Sequence, residues 1–382
     1  MISPKPSSAS TTVSPEVTVP ELNKRPGIHY AITRDGVELP VIDITHPAFS
    51  IAVSDEQQRA MVDAFLHEPV PFAEVPKPLR EPLLRFFLRG SILAEGISRA
   101  QGSFMSGMHT YLMKLGPEML GSYAKPVDKR IAAALPAVSM RLRLQDVAQL
   151  AADFLLPLLS ANSGPPLHLL NIAGGPAIDS LNALLVIRKA EPDLLKSREV
   201  SIDVLDLDED GPAFGKAALD ALIGDVGPLN GLNIRWRHVV YNWAETRPLT
   251  EVVKEAQRAN AIVICTSEGG LFEYGSDEEI TANLIALRDG CQAVVGSVTR
   301  NDKTIAKLKQ ASSAATRPRG LNLFRELASK GGWNVEHAVE RPLSDQVVLS
   351  PIRSTKKGEA AASPFLPKPI TTCLRPQGCF PP

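Results

Sequence analysis

The sequence lacks any apolar run of the roughly 20 residues that a membrane-spanning helix needs, so an integral membrane protein is not expected. It also lacks an excess of charge of one sign, because 41 Lys and Arg residues are balanced by 42 Asp and Glu residues. A formal net charge of -1 gives no overall attraction to polyanions. Nucleic acid is therefore not expected as a partner.

Cysteine is also scarce, with four residues in a chain of 382. Cys265 and Cys291 lie in predicted buried strands, and Cys373 and Cys379 lie in a proline-rich tail. This distribution does not indicate a disulfide framework. No spacing of His, Asp or Glu resembles a metal site, so no metal is expected.

The two ends of the chain differ in composition from its middle. Residues 1–25 are rich in Ser, Thr and Pro and lack the apolar core of a signal peptide, so we expect a disordered lead and a cytoplasmic location. Residues 353–382 carry repeated prolines and are expected to form a flexible tail. A chain of this length with 44% hydrophobic residues can bury an α/β core at 161–352 and a mainly helical region at 26–160.

The most informative segment is residues 167–182, which read LHLLNIAGGPAIDSLN. The apolar residues at 167–172 predict a central strand that is buried on both faces. Gly174 and Gly175 follow where the chain must turn, and a ligand can approach their bare backbone because no Cβ stands in the way. Pro176 presets a helix-compatible φ, and the spacing of apolar residues at 178–185 predicts a helix. This arrangement suits a nucleotide-like ligand, although the glycines alone also suit an ordinary tight turn.

A second predicted strand at 200–205 ends in Asp206. An acidic side chain at the end of the neighbouring strand can accept hydrogen bonds from both hydroxyls of a ribose, so Asp206 is the candidate for that contact. Asp208 and Asp210 are expected to cap or precede the helix at 214–222, and a cap is also the alternative for Asp206.

Two further predicted strands, at 234–240 and 261–266, also end in polar residues. In an α/β chain such strand ends lie along one rim of the sheet, where ligands bind. The rim is therefore expected to gather four polar side chains, which are Asn171, Asp206, Asn242 and Glu268.

With this glycine-containing loop, acidic strand end and polar rim, residues 165–352 resemble a class I S-adenosylmethionine-dependent methyltransferase of the small-molecule type. The first motif of that family is an acidic residue followed by three alternate glycines. In this chain the four positions are occupied by Asn171, Ala173, Gly175 and Ala177. The glycine positions are thus only partly filled by glycine, and the acidic position carries an amide.

The resemblance implies a role for each rim residue. Asp206 would bind the ribose, Asn242 would contact the adenine, and Ser267 and Glu268 would face the donor methyl group and the acceptor. The cofactor S-adenosyl-L-methionine would then be bound by Asn171, Ala173, Gly174, Gly175, Asp206, Leu207, Asn242 and Ser267.

The resemblance also implies a Rossmann-like, mostly parallel seven-stranded sheet with an antiparallel last strand. The apolar runs at 333–339 and 346–350 follow a strand at 292–298 and a helix at 321–328. So few residues separate these two runs that they should be antiparallel neighbours. A nicotinamide-dependent dehydrogenase would show G-x-G-x-x-G in its first loop, whereas this loop reads A-G-G-P-A-I-D.

The region before the α/β core begins with residues 28–45, whose alternation around Asp35 and Gly36 predicts a β-hairpin. Helices are predicted at 56–67, 79–100, 104–115, 127–142 and 144–159. This region is large enough to cover the donor site and supply the acceptor pocket, or to form a homodimer interface. Its expected pocket segment, 101–111, contains Gln101, Met105, Met108, His109 and Tyr111. The same spacing of Met and aromatic residues also suits a plain core.

Methyl transfer from a sulfonium needs alignment of the reacting atoms and exclusion of water, and it needs a base only where a hydroxyl must lose its proton. Glu268 and His109 are the candidate catalytic residues, Tyr274 is a further candidate base, and His238 is expected to be structural. The segment SEGGLFEYG lacks the N-P-P-Y signature of enzymes that methylate amide or base nitrogens, and Cys265 is not preceded by proline as in cytosine C5 enzymes.

The predicted function is therefore O- or N-methylation of a small molecule in secondary metabolism. Two alternatives remain open. One is a non-catalytic partner protein that binds S-adenosylmethionine or a related nucleoside, which the departures at Asn171, Ala173 and Ala177 favour. The other is a nicotinamide-dependent oxidoreductase on a similar sheet.

Overall fold

The computed structural model describes residues 24–69, 75–76, 79, 82–83, 86, 88–99, 105–121, 124–311 and 315–352. Gln101, Cys373 and Cys379, the lead up to residue 23 and the tail from residue 353 lie outside these ranges. The described residues up to Pro351 belong to one compact unit. No helix in these ranges is long and apolar enough to cross a membrane.

The elements follow the chain in this order. The first part contains β1 (Tyr30–Ile32), β2 (Glu38–Pro40), α1 (Asp55–His67), α2 (Ile92–Arg99), α3 (Gly107–Leu115), α4 (Pro126–Ala133) and α5 (Leu135–Ala161). The second part begins with β3 (Leu167–Ile172), α6 (Ile178–Ala190), β4 (Glu199–Asp206), α7 (Asp210–Ile223), β5 (Asn233–Val240), α8 (Arg247–Arg258) and β6 (Ile262–Ser267). It ends with α9 (Leu271–Tyr274), α10 (Asp277–Arg288), β7 (Ala293–Thr299), α11 (Lys303–Ala311), α12 (Gly320–Lys330), β8 (Trp333–Glu340) and β9 (Ser344–Pro351).

The central sheet has seven strands in the order β5-β4-β3-β6-β7-β9-β8. Strands β3 to β7 pair in parallel, and β9 pairs antiparallel with both β7 and β8. The predicted Rossmann-like sheet with an antiparallel last strand is therefore confirmed, and so is the pairing of the last two strands. The chain has the fold that the resemblance to class I methyltransferases implied.

Helices cover both faces of the sheet because successive residues of a buried strand point to opposite sides. Leu167 and Leu169 of β3 pack with α5, α6 and α7 on one face. Leu170 and Ile172 of the same strand pack with α8, α10 and α12 on the other face. All six residues of β3 are buried, which explains why four of them are apolar and only His168 and Asn171 are polar.

The amino-terminal hairpin is confirmed. Tyr30 pairs with Pro40 and Ile32 pairs with Glu38, and Gly36 has a φ of 84° in the connecting turn. The segment that follows is fixed to the core by Asn182 of α6, which donates to the carbonyl of Ile42 and accepts from the N–H of Ile44. Side chains of the helical region and of the α/β part thus share one hydrophobic cluster. The division of the chain at residue 160 stays a prediction.

Two predicted helix boundaries are wrong. The helix predicted at 79–100 is interrupted by a turn at residues 88–90, where Gly90 has a φ of 71°. The break predicted near residue 143 instead lies at Ala134, because Pro136 has no N–H to donate to the preceding turn and therefore starts a new helix. Helix α5 then runs for 27 residues without interruption, with Pro157 inside it.

Candidate functional site

One cavity of about 570 Å³ lies at the carboxyl ends of β3, β4, β5 and β6, the rim that the sequence predicted. Helices α3 and α5 form its opposite wall. The strand ends contribute Ala173, Gly174, Asp206, Leu207, Asp208, Tyr241, Asn242, Trp243, Glu268, Gly269, Gly270, Glu273 and Tyr274. The helical region contributes Met105, Ser106, Gly107, Thr110, Lys114, Met140 and Arg143. This volume lies within the range of roughly 300–1,000 Å³ that is typical of small-molecule pockets.

The loop after β3 has an unusual backbone. Ala173, Gly175 and Ala177 have φ values of 53°, 57° and 49°, so all three lie in the left-handed region. The family motif has glycine at these three positions, and a residue without a Cβ adopts this conformation without strain. Ala173 and Ala177 therefore adopt this conformation at an energetic cost. Pro176 lies in the turn before α6 and not in its first helical turn.

Gly175 makes room for protein and not for a ligand. A Cβ on Gly175 would lie 2.6 Å from the Cα of Gly107, at the start of α3. A Cβ on Gly211, in the first turn of α7, would lie 2.8 Å from the Cα of Gly175. Three chain segments thus meet at backbone contact, and Gly174 rather than Gly175 lines the cavity.

Asp206 is held at the end of β4 by two backbone donors. Its Oδ2 accepts from the N–H of Gly175 and its Oδ1 accepts from the N–H of Asp208, each at 2.9 Å. Burial raises the pKa of the Asp206 carboxyl, and the two backbone bonds oppose that change. Each carboxylate oxygen keeps a second acceptor position, so the side chain can still accept from a diol in the cavity.

Apolar surface flanks Asp206 on the same wall. Leu207 is 56% exposed, a large value for a leucine, and Trp243 also lines the cavity. The loop that carries Asn242 and Trp243 is held by Asn283 of α10, which accepts from the Tyr241 hydroxyl and donates to the Trp243 carbonyl. Asn242 itself accepts from the N–H of Ala244 at 3.1 Å.

Besides Gly175, three further predicted site residues do not line the cavity. Asn171 is fully buried and donates to Asp179, Ser180 and Thr266 beneath the loop. Ser267 is also fully buried, and its hydroxyl accepts from the N–H of Leu271. His109 lies on α3 with its Nδ1 2.8 Å from the hydroxyl of Ser106, which caps that helix.

The opposite end of the cavity contains a buried network of four charged side chains. Arg143 donates through Nε to Glu268 at 2.7 Å and through its guanidinium to Glu273 at 3.2 Å. Lys114 donates to the second carboxylate oxygen of Glu268. The side chains of Lys114, Arg143 and Glu268 are only 5%, 8% and 3% exposed. The network therefore joins α3 and α5 to the end of β6 within the lining of the cavity.

The electrostatics of this network disfavour Glu268 as a base. Burial opposes ionisation of Glu268, but the charges of Lys114 and Arg143 outweigh it and lower the pKa of this carboxyl. A carboxylate with a lowered pKa and two cationic partners is a weak proton acceptor. Burial raises the pKa of Glu273 and also that of Tyr274, whose phenol therefore stays protonated at neutral pH.

Sequence reasoning did not identify Lys114 and Arg143. A signal was present, because each is a cation within an apolar helical stretch, YLMKL and MRLRL. A long cationic side chain on a core-facing helix position must find a buried partner or a cavity. His238 was expected to be structural, and its Nε2 lies 2.9 Å from the carbonyl of Asp206, outside the cavity lining.

Several solved structures are similar to this chain. The pyocyanin biosynthetic protein PhzM aligns with 14% identity and a TM-score of 0.39 over 78% of this chain and 74% of its own. The magnesium protoporphyrin IX methyltransferase ChlM from Synechocystis PCC 6803, with bound SAH, has 12% identity and a TM-score of 0.36 over 55% of this chain and 86% of its own. The mitomycin 7-O-methyltransferase MmcR has 13% identity and a TM-score of 0.36 over 76% of this chain and 75% of its own.

These identities and scores are low, and the fold assignment rests on the strand order described above. No protein-family profile matches the chain, and no curated protein sequence matches it significantly.

Proposed function

We propose that this protein is a methyltransferase that uses S-adenosylmethionine and acts on a small molecule. The observation that carries this proposal is the cavity that joins the loop after β3 and the end of β4 to a wall of helices. A donor on the sheet rim and an acceptor against the helices would therefore occupy one cavity.

The donor end of the cavity fits an adenosine group. Asp206 offers two carboxylate oxygens for the ribose hydroxyls, and Gly174 lines the same cavity. A Cβ on Gly174 would meet the side-chain amide of Asn171, so its absence makes room for Asn171 and not for the donor. The exposed side chain of Leu207 and the ring of Trp243 offer apolar surface for the adenine, with Asn242 available for its polar edge. The buried Asn171 would not contact the donor directly, and its amide instead joins Asp179, Ser180 and Thr266 beneath the loop.

The chain's own residues would then align and enclose the reactants. Bound S-adenosylmethionine would supply an activated methyl group. Helices α3 and α5 would hold the acceptor with Thr110 and Met140, together with Met105 just before α3, and would keep water from the reacting atoms. Glu268 would fix the positions of Lys114 and Arg143, and it would not remove a proton. We propose that the reaction is O- or N-methylation of a small molecule in secondary metabolism.

Calorimetric titration with S-adenosylhomocysteine tests the donor site. We expect binding of S-adenosylhomocysteine and none of NAD⁺ or NADPH, and the reverse result would favour the oxidoreductase. Transfer is tested separately by incubation with methyl-labelled S-adenosylmethionine and a panel of small phenols, amines and carboxylic acids. Binding of the donor without labelled product across the panel would favour a non-catalytic partner.

A further inference from the structure

Gly107, the first residue of α3, is a glycine that the helix itself does not need. Its φ lies outside the left-handed region, and alanine is the better helix former at such a position. The reason for glycine is a neighbouring segment, because a Cβ on Gly107 would lie 2.7 Å from the Cα of Gly175 in the loop after β3. The missing side chain therefore lets the start of α3 pack directly on the backbone of that loop.

The backbone that α3 contacts also holds the carboxylate that we assign to the ribose. The N–H of Gly175 donates to Oδ2 of Asp206 at 2.9 Å, so Gly107, Gly175 and Asp206 form one short chain of contacts. Gly107 and Asp206 both line the cavity. Displacement of Gly175 would lengthen its hydrogen bond and let the carboxylate rotate, because the N–H of Asp208 would then hold it by one oxygen alone.

A second contact between the amino-terminal region and the donor half lies on the surface. Arg34, in the turn of the hairpin, pairs with Glu209 at 3.0 Å and with Asp210 at 3.2 Å, and all three side chains are more than half exposed. Exposed ion pairs of this kind contribute little. The backbone contact of α3 is therefore the one that can control the position of the loop.

We propose that Gly107 is a positioning residue for the donor: the contact of α3 with Gly175 keeps the Gly175 N–H on Asp206 and so orients the carboxylate for the ribose hydroxyls. The proposal rests on the proposed function and adds a residue of the helical region to its donor site. Helix α3 also carries Thr110 and Lys114 of the opposite wall. One helix thus controls both the acceptor wall and the ribose contact. By linkage, a bound ribose stabilises the position of α3 as much as that position strengthens ribose binding.

Calorimetric titration of the full chain with S-adenosylhomocysteine and its 2′-deoxy analogue tests the proposal. Gly107→Ala should weaken binding of S-adenosylhomocysteine by about tenfold or more, the size of a hydrogen bond to a charged group. The variant should also show a smaller preference for S-adenosylhomocysteine over the analogue, which lacks one of the hydroxyls that Asp206 accepts from. Gly164→Ala is the matched control, because a Cβ there would meet nothing within 4 Å, and it should leave both affinities unchanged.

A double-mutant cycle with Asp206→Ala separates positioning of the carboxylate from a general loss of structure. In the Asp206→Ala background, Gly107→Ala has no carboxylate left to displace and should change the affinity for S-adenosylhomocysteine by less than about twofold. An unchanged affinity in Gly107→Ala alone, or an equal loss with and without Asp206, would overturn the proposal. Failure of S-adenosylhomocysteine to bind the parent would instead refute the proposed function.

The parent protein provides a second measurement if Gly107→Ala does not fold. Hydrogen–deuterium exchange of residues 105–115, which include α3, should slow when S-adenosylhomocysteine binds. Exchange should slow less with the 2′-deoxy analogue at equal saturation, because that analogue offers Asp206 one hydroxyl fewer. Equal protection of this segment by the two ligands, or protection by neither, would contradict the coupling between α3 and the ribose contact.

Discussion

The close approach of Gly175 to Gly107 predicts a large and specific effect of one added methyl group. In Gly175→Ala the new Cβ would lie 2.6 Å from the Cα and 3.3 Å from the carbonyl carbon of Gly107. Both are backbone atoms, so no side-chain rotation can relieve the contact. The change should push the start of α3 away from the loop after β3.

The magnitude has two parts. Gly175 has a φ of 57°, and an alanine in the left-handed region costs roughly 1–2 kcal/mol. Overpacking against atoms that cannot yield costs roughly a further 1–3 kcal/mol. Gly175→Ala should therefore lower the free energy of unfolding by about 2–5 kcal/mol.

Gly231→Ala is the matched control, because Gly231 has a φ of 77° and a Cβ added there would meet nothing within 4 Å. It should cost only the conformational part, roughly 1–2 kcal/mol. Urea unfolding of the parent and both variants gives the two values. Equal destabilisation by Gly175→Ala and Gly231→Ala would refute the backbone contact between α3 and the loop.

Three further predictions concern other sites. Ala177→Gly should change the free energy of unfolding by less than about 1 kcal/mol, because relief of the strain of a left-handed alanine offsets the loss of a buried methyl group. The control is Ala183→Gly inside α6, which should lower the free energy of unfolding by about 2 kcal/mol in the same urea experiment. Asp206→Ala should weaken binding of S-adenosylhomocysteine by about 1.5–3 kcal/mol in calorimetry, the range for hydrogen bonds to a charged group. Asp206→Ala should also bind S-adenosylhomocysteine and its 2′-deoxy analogue equally well. A remaining preference of this variant for S-adenosylhomocysteine would contradict the ribose contact. Burial raises the pKa of Asp345 to about 6, above its unfolded value, so this group adds stability as the pH falls through 6 towards 4. Asp345→Asn should therefore be more stable than the parent by about 1–3 kcal/mol above pH 7, and this difference in stability should shrink as the pH falls from 6 towards 4. A constant difference between pH 7 and pH 4 would show that Asp345 does not titrate in this range.

The α/β half of the chain could be predicted from its sequence because its strands carry local signals. Strand β3 is buried on both faces and reads as one apolar run, while β8 and β9 are joined by too few residues to cross a sheet. These patterns depend only on near neighbours in the chain. The rim position of Asp206 and Asn242 followed from the same rules, since strand ends of a parallel sheet meet at one edge.

The helical region was predicted less well because its apolar spacing does not specify where a helix begins. The break at Ala134 depends on the missing N–H of Pro136, and α5 continues through the predicted boundary because its residues find partners on both α6 and the sheet. Helix propensity is a weak guide where tertiary packing supplies most of the stability.

The sequence by itself determined the sheet, its antiparallel last strand and the rim that carries Asp206. Only the tertiary structure decided what faces that rim. Lys114 and Arg143 are 154 and 125 residues from Glu268 along the chain, and their pairing turns an expected base into the anchor of an ion-pair network. Gly175, whose missing Cβ was expected to serve a ligand, serves the backbone of Gly107 instead. Contacts between such distant residues depend on the packing of whole elements, which no local pattern in the sequence encodes.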